Sequence, residues 1–289
     1  MFIGSFVAIV TPFKDDLTIN YDELERLIEW QIDSKTDGIV VCGTTGEAAT
    51  LSLEEKLELI QFIIKKVDKR VLVIAGTGTN CTKTSVDLSK KAEELGVDGL
   101  LVVNPYYNKG NNKGIFTHYK MINDAVNIPI ILYNVPSRTG MDMSVELIKE
   151  LSNLENIIAI KEASGDLKKF KQLVKKTDLI VLSGNDDIIV KSIRLGGKGV
   201  ISVLSNVKPI IVREMVYYAM TGKEEIAEKL QRRYMPLVDA LFIEVNPIPV
   251  KMIMNYLDHN VGGYRLPLAP MSKSLKRKVV KILFEKYGI

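Results

Sequence analysis

The sequence predicts an α/β protein, a (β/α)₈ TIM barrel with a C-terminal helical domain, on three observations. Eight short apolar runs rich in β-branched residues recur along the first 203 residues, each is followed by a stretch of helical periodicity, and beyond about Lys223 no further strand pattern appears. The runs are 5–10, 38–41, 71–75, 99–103, 130–133, 157–160, 179–182 and 199–203. Near-continuous apolar strands alternating with helices imply a parallel sheet covered on both faces. An open doubly wound sheet competes with the barrel, but it calls for a glycine-rich phosphate turn, and neither GxGxxG nor GxxxxGK[ST] is present.

The intervening helices follow from apolar spacing of three and four. "YDELERLIEWQIDS", "SLEEKLELIQFIIKKVD" and "TKTSVDLSKKAEELG" each keep one apolar stripe. Ser52 with Glu55 three residues later has the spacing of a capping box, and Gly96 ends a helix before the next strand. The tail contains "KEEIAEKLQRRYMPLVDALF", "IPVKMIMNYL" and "SKSLKRKVVKILFEKYG", broken by "NPIP" and "GGYRLPLAP". The expected division is a barrel over 1–224 and a helical domain over 225–289.

Composition narrows the function classes. Of 289 residues, 46% are hydrophobic and 26% charged, the balance of a folded globular chain. No apolar run approaches the roughly 20 residues of a bilayer helix. The start "MFIGSFVAIVTPF" has no basic leader and no small-residue cleavage pattern, so it reads as a first strand and a cytoplasmic location is expected. A formal charge of +4 with dispersed lysines argues against nucleic acid as a partner. Cys42 and Cys81 form no CxxC and read as two reduced structural thiols. His118 and His259, the only histidines, lie in no HExxH context, so no metal site is expected and the chemistry falls to other side chains.

Barrel enzymes carry their sites at the carboxyl ends of the strands. There this chain places "TPF", "GTTGE" (43–47), "GTGTN" (76–80), "NPYYN" (104–108), "YNVPSRTG" (133–140), "KEASG" (161–165) and "SGND" (183–186). Taken singly, the threonines and glycines read as turn residues, Tyr106 and Tyr107 as an aromatic pair, and Arg138 as a solvated loop residue. Lys161 is different, because it follows the apolar run "IIAI". An ammonium there must reach water, find a counter-charge or lose its proton, and in the last case it becomes a nucleophile that forms Schiff bases with carbonyl compounds. Tyr133 would stand one strand away, and hydroxyls are the available proton carriers where no histidine occurs. An arginine at the same end offers a fork for a carboxylate.

Taken in order, "GTTGE", "NPYYN", "YNVPSRTG" and "KEASG" resemble the dihydrodipicolinate synthase family, within the superfamily of barrel lyases that includes N-acetylneuraminate lyase. The resemblance spans essentially the whole chain. It implies a lyase in which pyruvate forms a Schiff base with Lys161 and the enamine adds to L-aspartate 4-semialdehyde, giving the precursor of diaminopimelate and lysine. By matching motif, Tyr133 would be the general acid/base, Thr44 and Tyr107 would complete a hydroxyl relay, and Tyr107 would come from a neighbouring subunit of a homotetramer. Thr45 would hold the pyruvate carboxylate and Arg138 that of the semialdehyde, while Gly184 and Ile201 would shape the pocket. No cofactor beyond the covalent pyruvate is implied. Asn104 departs from the threonine common in the family. Asn80 and Tyr106 match an allosteric lysine site, but Leu53 and Thr84 do not supply its charged partners, so weak or absent inhibition by L-lysine is expected. The rival readings are a sister pyruvate-dependent aldolase acting on sialic or 2-keto-3-deoxy sugar acids, and a non-catalytic binding barrel. The arginine of "NVPSRTG" and the presence of both Lys161 and Tyr133 argue against them.

Overall fold

The structure is a computed structural model and describes residues 1–288. Eight strands close into a barrel in chain order: β1 (Gly4–Ala8), β2 (Gly38–Val41), β3 (Leu72–Gly76), β4 (Gly99–Val103), β5 (Ile130–Asn134), β6 (Ile157–Glu162), β7 (Ile180–Ser183) and β8 (Gly199–Ser202). All neighbours are parallel, β1 with β8 included. The helices α1 (Tyr21–Asp33), α2 (Leu53–Val67), α3 (Thr82–Leu95), α4 (Asn112–Asn123), α6 (Val145–Leu151), α7 (Leu167–Lys176), α8 (Ile189–Arg194) and α9 (Pro209–Met220) each follow one strand. A four-residue helix, α5 (Pro136–Thr139), turns the chain between β5 and α6. The tail folds as α10 (Glu224–Leu241), α11 (Ile248–Tyr256) and α12 (Lys273–Tyr287), with α10 packed on α8 and α9 and α12 on α10 and α11. Among the described residues, no helix is long and apolar enough to cross a membrane.

Local signals read from the sequence reappear as contacts. Glu55 N donates to Ser52 Oγ at 3.2 Å while Ser52 N donates to Glu55 Oε2 at 2.9 Å, so both orphan donors at the start of α2 are satisfied. Gly96 ends α3 at φ 92°. Strand limits shift by one or two residues from the apolar runs, and the shift that matters is in β6. It continues past Ile160 through Lys161 and Glu162, because the backbone there still pairs with β5 and β7.

Strand alternation sorts the apolar residues into two layers. Phe6, Val40, Ile74, Leu101, Ile131, Ala159, Leu182 and Ile201 fill the barrel interior. Val7, Ile39, Val73, Leu100, Leu132, Ile160, Val181 and Val200 face the helices. Burying each such Val, Leu, Ile or Phe contributes about 1.5–3 kcal/mol, so both faces of every strand hold the fold together. The seam where β1 meets β8 needs glycine: Gly199 has φ 146°, and a Cβ on it would lie 1.9 Å from the Gly4 carbonyl oxygen.

The two cysteines are free but differ in setting. Cys42 is packed in the core, and burial pushes its thiol up to about 12. Cys81 is a surface residue at the N-cap position of α3, where its side chain makes no capping hydrogen bond. His118, on α4, is buried with Nδ1 3.0 Å from Thr82 Oγ1, and its Nε2 has no hydrogen-bond partner among the described residues. Burial lowers its imidazole from 6.5 to about 4. The folded value lies below the unfolded one, so the stabilisation is complete above the unfolded pKa and is lost as the pH falls toward the folded value. Between about pH 7 and 4.5, urea unfolding should therefore show the native protein losing about 2–3 kcal/mol more than His118→Gln, and equal losses would refute the assignment.

Candidate active site

The alternation of β5 and β6 brings the two principal side chains together. Tyr133 pairs with Lys161 in register, and each is 6% exposed. The Lys161 Nζ lies 4.4 Å from the centroid of the Tyr133 ring, over its electron-rich face. The next residues on both strands, Asn134 and Glu162, point the other way. Asn134 Nδ2 donates to Glu162 Oε2 at 3.0 Å and to Asp142 Oδ1 at 2.8 Å, and Ser164 N donates to Glu162 Oε1 at 2.7 Å. Lys169 closes this outer cluster by an ion pair with Asp142. Burial raises the Glu162 carboxyl above its usual range, opposed by these donors. The register that sets Tyr133 beside Lys161 is thus bolted from behind.

Inside, a cavity of about 180 Å³ is lined by Lys161 and Tyr133 together with Thr44, Thr45, Arg138, Gly184, Val203 and Asn246. Gly184 is required by space: a Cβ on it would come within 2.5 Å of Ala163 Cβ and 2.9 Å of Lys161 Cε, displacing the lysine stem. Thr45 Oγ1 accepts from Asn246 Nδ2 at 2.9 Å, and Arg138 Nη2 donates to the Asn246 carbonyl at 3.0 Å. A second cavity of about 370 Å³ shares Thr44, Tyr133, Arg138 and Asn246 with the first and extends to Lys56 and Tyr106.

The "GTTGE" loop is anchored from below by a buried charge pair. Glu47, at φ 55°, accepts from Lys251 Nζ at 2.8 Å, and both side chains are fully buried. Lys251 Nζ also donates to the Thr11 carbonyl at 3.1 Å, and Arg265 N donates to the other Glu47 oxygen at 3.2 Å. Desolvation lowers the Lys251 ammonium from its ordinary value, with Glu47 opposing the shift. Removing one member of such a pair strands the other in a dry site. Lys251→Met should cost about 3–5 kcal/mol in urea unfolding, and adding Glu47→Gln should recover more than half of it. A double variant no more stable than the single one would contradict this account.

Lys161, Tyr133, Thr44, Thr45, Arg138 and Gly184 therefore converge on one cavity. Ile201 does not line it. It lies in the barrel interior, whereas Val203, just past the end of β8 where the backbone turns into a short 3₁₀ helix, lines the cavity. Tyr107 does not reach the cavity of its own chain. It sits at φ 71° with 89% of its surface exposed. Tyr106 borders the larger cavity, whereas Asn80 does not and instead accepts a hydrogen bond from Asn108 Nδ2 on its carbonyl. Asn104 is buried and donates to Met141 O at 3.2 Å, steadying the loop that carries Arg138. Sequence patterns do not single out Asn246 or Lys251; their only signal is the break "NPIP", which marks a turn and says nothing of what the turn touches.

Among the described residues, no group of three or more His, Cys, Asp or Glu side chains is arranged to hold a metal ion. The cavity instead joins an amine to hydroxyl donors and a guanidinium, which suits a small anionic carbonyl compound.

Comparison with known proteins agrees with this chemistry. The model of the Dihydrodipicolinate synthetase family matches residues 1–286. The 4-hydroxy-tetrahydrodipicolinate synthase of Caldicellulosiruptor saccharolyticus is 51% identical over 290 residues, covering 100% of this chain and 98% of that one. The 4-hydroxy-tetrahydrodipicolinate synthase 1 of Clostridium acetobutylicum is 49% identical, covering 100% and 99%. Among solved structures, dihydrodipicolinate synthase from Aquifex aeolicus superposes with a TM-score of 0.97 at 43% identity over 99% of this chain and 98% of that one.

Proposed function

The chain belongs to the dihydrodipicolinate synthetase family, and from that membership we propose that Lys161 is the amine that binds pyruvate as a Schiff base. The protein is a lyase, a 4-hydroxy-tetrahydrodipicolinate synthase, and condenses pyruvate with L-aspartate 4-semialdehyde in the diaminopimelate and lysine pathway. The observation that carries the residue assignment is the Lys161 nitrogen held over the Tyr133 ring in a cavity walled by two threonines and an arginine.

In this reading the Lys161 nitrogen attacks the ketone carbon of pyruvate, and the carbinolamine loses water to give an iminium whose positive charge faces the Tyr133 ring. The pyruvate methyl group gives up a proton, and the resulting enamine carbon bonds to the aldehyde carbon of the semialdehyde, whose oxygen gains a proton. The α-amino nitrogen of the adduct then attacks the iminium carbon, closing the ring and releasing Lys161. Each step moves a proton, and Tyr133, with Thr44 and Tyr107, is the proposed carrier. The exposure of Tyr107 supports its donation to a neighbouring subunit's cavity in a homotetramer. Thr45 is assigned to the pyruvate carboxylate and Arg138 to that of the semialdehyde. Gly184 acts by leaving room for the lysine stem, and Ile201 by supporting the cavity from the barrel interior. No cofactor beyond covalently bound pyruvate is required, and we assign the protein to the cytoplasm. Residues 1–224 form the catalytic unit in this scheme, with 225–289 bracing it.

Reduction with borohydride in the presence of pyruvate should add the mass of a reduced pyruvyl group to Lys161. A coupled assay should turn over with L-aspartate 4-semialdehyde and not with N-acetylmannosamine. An unmodified lysine defeats the Schiff-base assignment. Tyr133→Phe should slow turnover by about 10²- to 10⁴-fold while trapping by borohydride still identifies Lys161. Near-native turnover in that variant would move the proton-carrying role elsewhere.

A further inference from the structure

Asn246 lies between α10 and α11, outside the barrel, yet it borders both cavities and is 5% exposed. Its side-chain nitrogen touches Thr45 Oγ1 and its carbonyl oxygen receives Arg138 Nη2. These are the two residues assigned to the two substrate carboxylates. An amide nitrogen donates and has no lone pair with which to accept. With the amide nitrogen toward it, Thr45 meets Asn246 as an acceptor and its own hydroxyl hydrogen is directed elsewhere, while Asn246 Oδ1 is buried with no hydrogen-bond partner among the described residues. A hydroxyl without such a neighbour has no fixed orientation and must be turned toward an anion as the anion binds, whereas one held as an acceptor is already directed away from its donor.

We propose that Asn246 is a positioning residue that fixes the polarity of the Thr45 hydroxyl, so that Thr45 donates to the carboxylate of pyruvate. The same residue holds the Arg138 guanidinium through its backbone, which leaves Arg138 four further N–H donors for the second carboxylate. The C-terminal helical segment thus takes part in anion selection without supplying a charge to the site. The inference rests on the function proposed above and goes beyond it by giving the tail a part in pyruvate binding.

The test is steady-state kinetics with pyruvate varied at saturating semialdehyde, using Asn246→Ala, Asn246→Asp, Thr45→Val and the Asn246→Ala/Thr45→Val double variant. Loss of one neutral hydrogen bond should raise the pyruvate KM of Asn246→Ala by about 3- to 10-fold, with a much smaller change in kcat. Asn246→Asp keeps the shape but turns the donor into an acceptor that captures the Thr45 hydrogen, and its pyruvate KM should rise further than that of the alanine variant. In the Thr45→Val background Asn246→Ala should add no further rise, because the hydroxyl it orients is gone.

An unchanged pyruvate KM in Asn246→Asp overturns the proposal, as do independent, additive effects of Asn246→Ala and Thr45→Val. Thermal melts identify variants that do not fold. The aspartate variant, matched in size to asparagine, carries the test alone if the truncation fails. Borohydride trapping of the unsubstituted protein separates the two levels of failure. An untrapped Lys161 overturns the Schiff-base assignment and this inference with it, whereas a trapped Lys161 with native kinetics in the Asn246 variants overturns this inference only.

Discussion

The site depends above all on the register between β5 and β6. Parallel pairing places Tyr133 opposite Lys161 and Asn134 opposite Glu162, and the period of two then commits the first pair to the interior and the second to the shell. A slip of one residue would exchange them, burying a carboxylate in the cavity and turning the amine toward the helices. The outer cluster of Asn134, Glu162, Asp142 and Lys169 resists that slip, because each polar group in it would lose partners that water could not replace. The Lys161–Tyr133 pair is therefore only as well placed as the Asn134–Glu162 pair behind it.

A second constraint comes from the tail. The strand ends supply loops, and loops alone hold side chains loosely. Here the "GTTGE" loop is fixed by the Glu47–Lys251 pair beneath it and by the Asn246–Thr45 bond beside it, while Arg138 is steadied through the Asn246 carbonyl. The charge pair is costly to desolvate and so is weak evidence for stability as such. Its value lies in fixing geometry, because an unmatched loop position would leave a buried charge alone. The helices after the barrel act as a brace that joins the second and fifth strand-end loops.

Much of this architecture is legible in the sequence. The barrel follows from eight apolar runs separated by helical periodicity, since a parallel sheet must be buried on both faces and its strands read as continuous apolar runs. Lys161 is conspicuous because burial makes a lysine after four apolar residues expensive. Ile201 and Tyr107 are less legible, because neither the residue at which a strand gives way to a turn nor a side chain's exposure is settled by a motif. Tyr107 lies well outside its own cavity, and Val203 takes the wall position.

Local pattern determined the order of elements, the closure into a barrel and the residue types delivered to the strand ends, since periodicity and capping are decided within a few neighbouring residues. Tertiary structure decided which of those residues meet and what orients them. Asn246 reaches Thr45 across 201 residues of chain, and Lys251 reaches Glu47 across 204. No periodic or compositional signal extends that far, and such contacts exist only once the barrel has closed and the tail has folded back upon it.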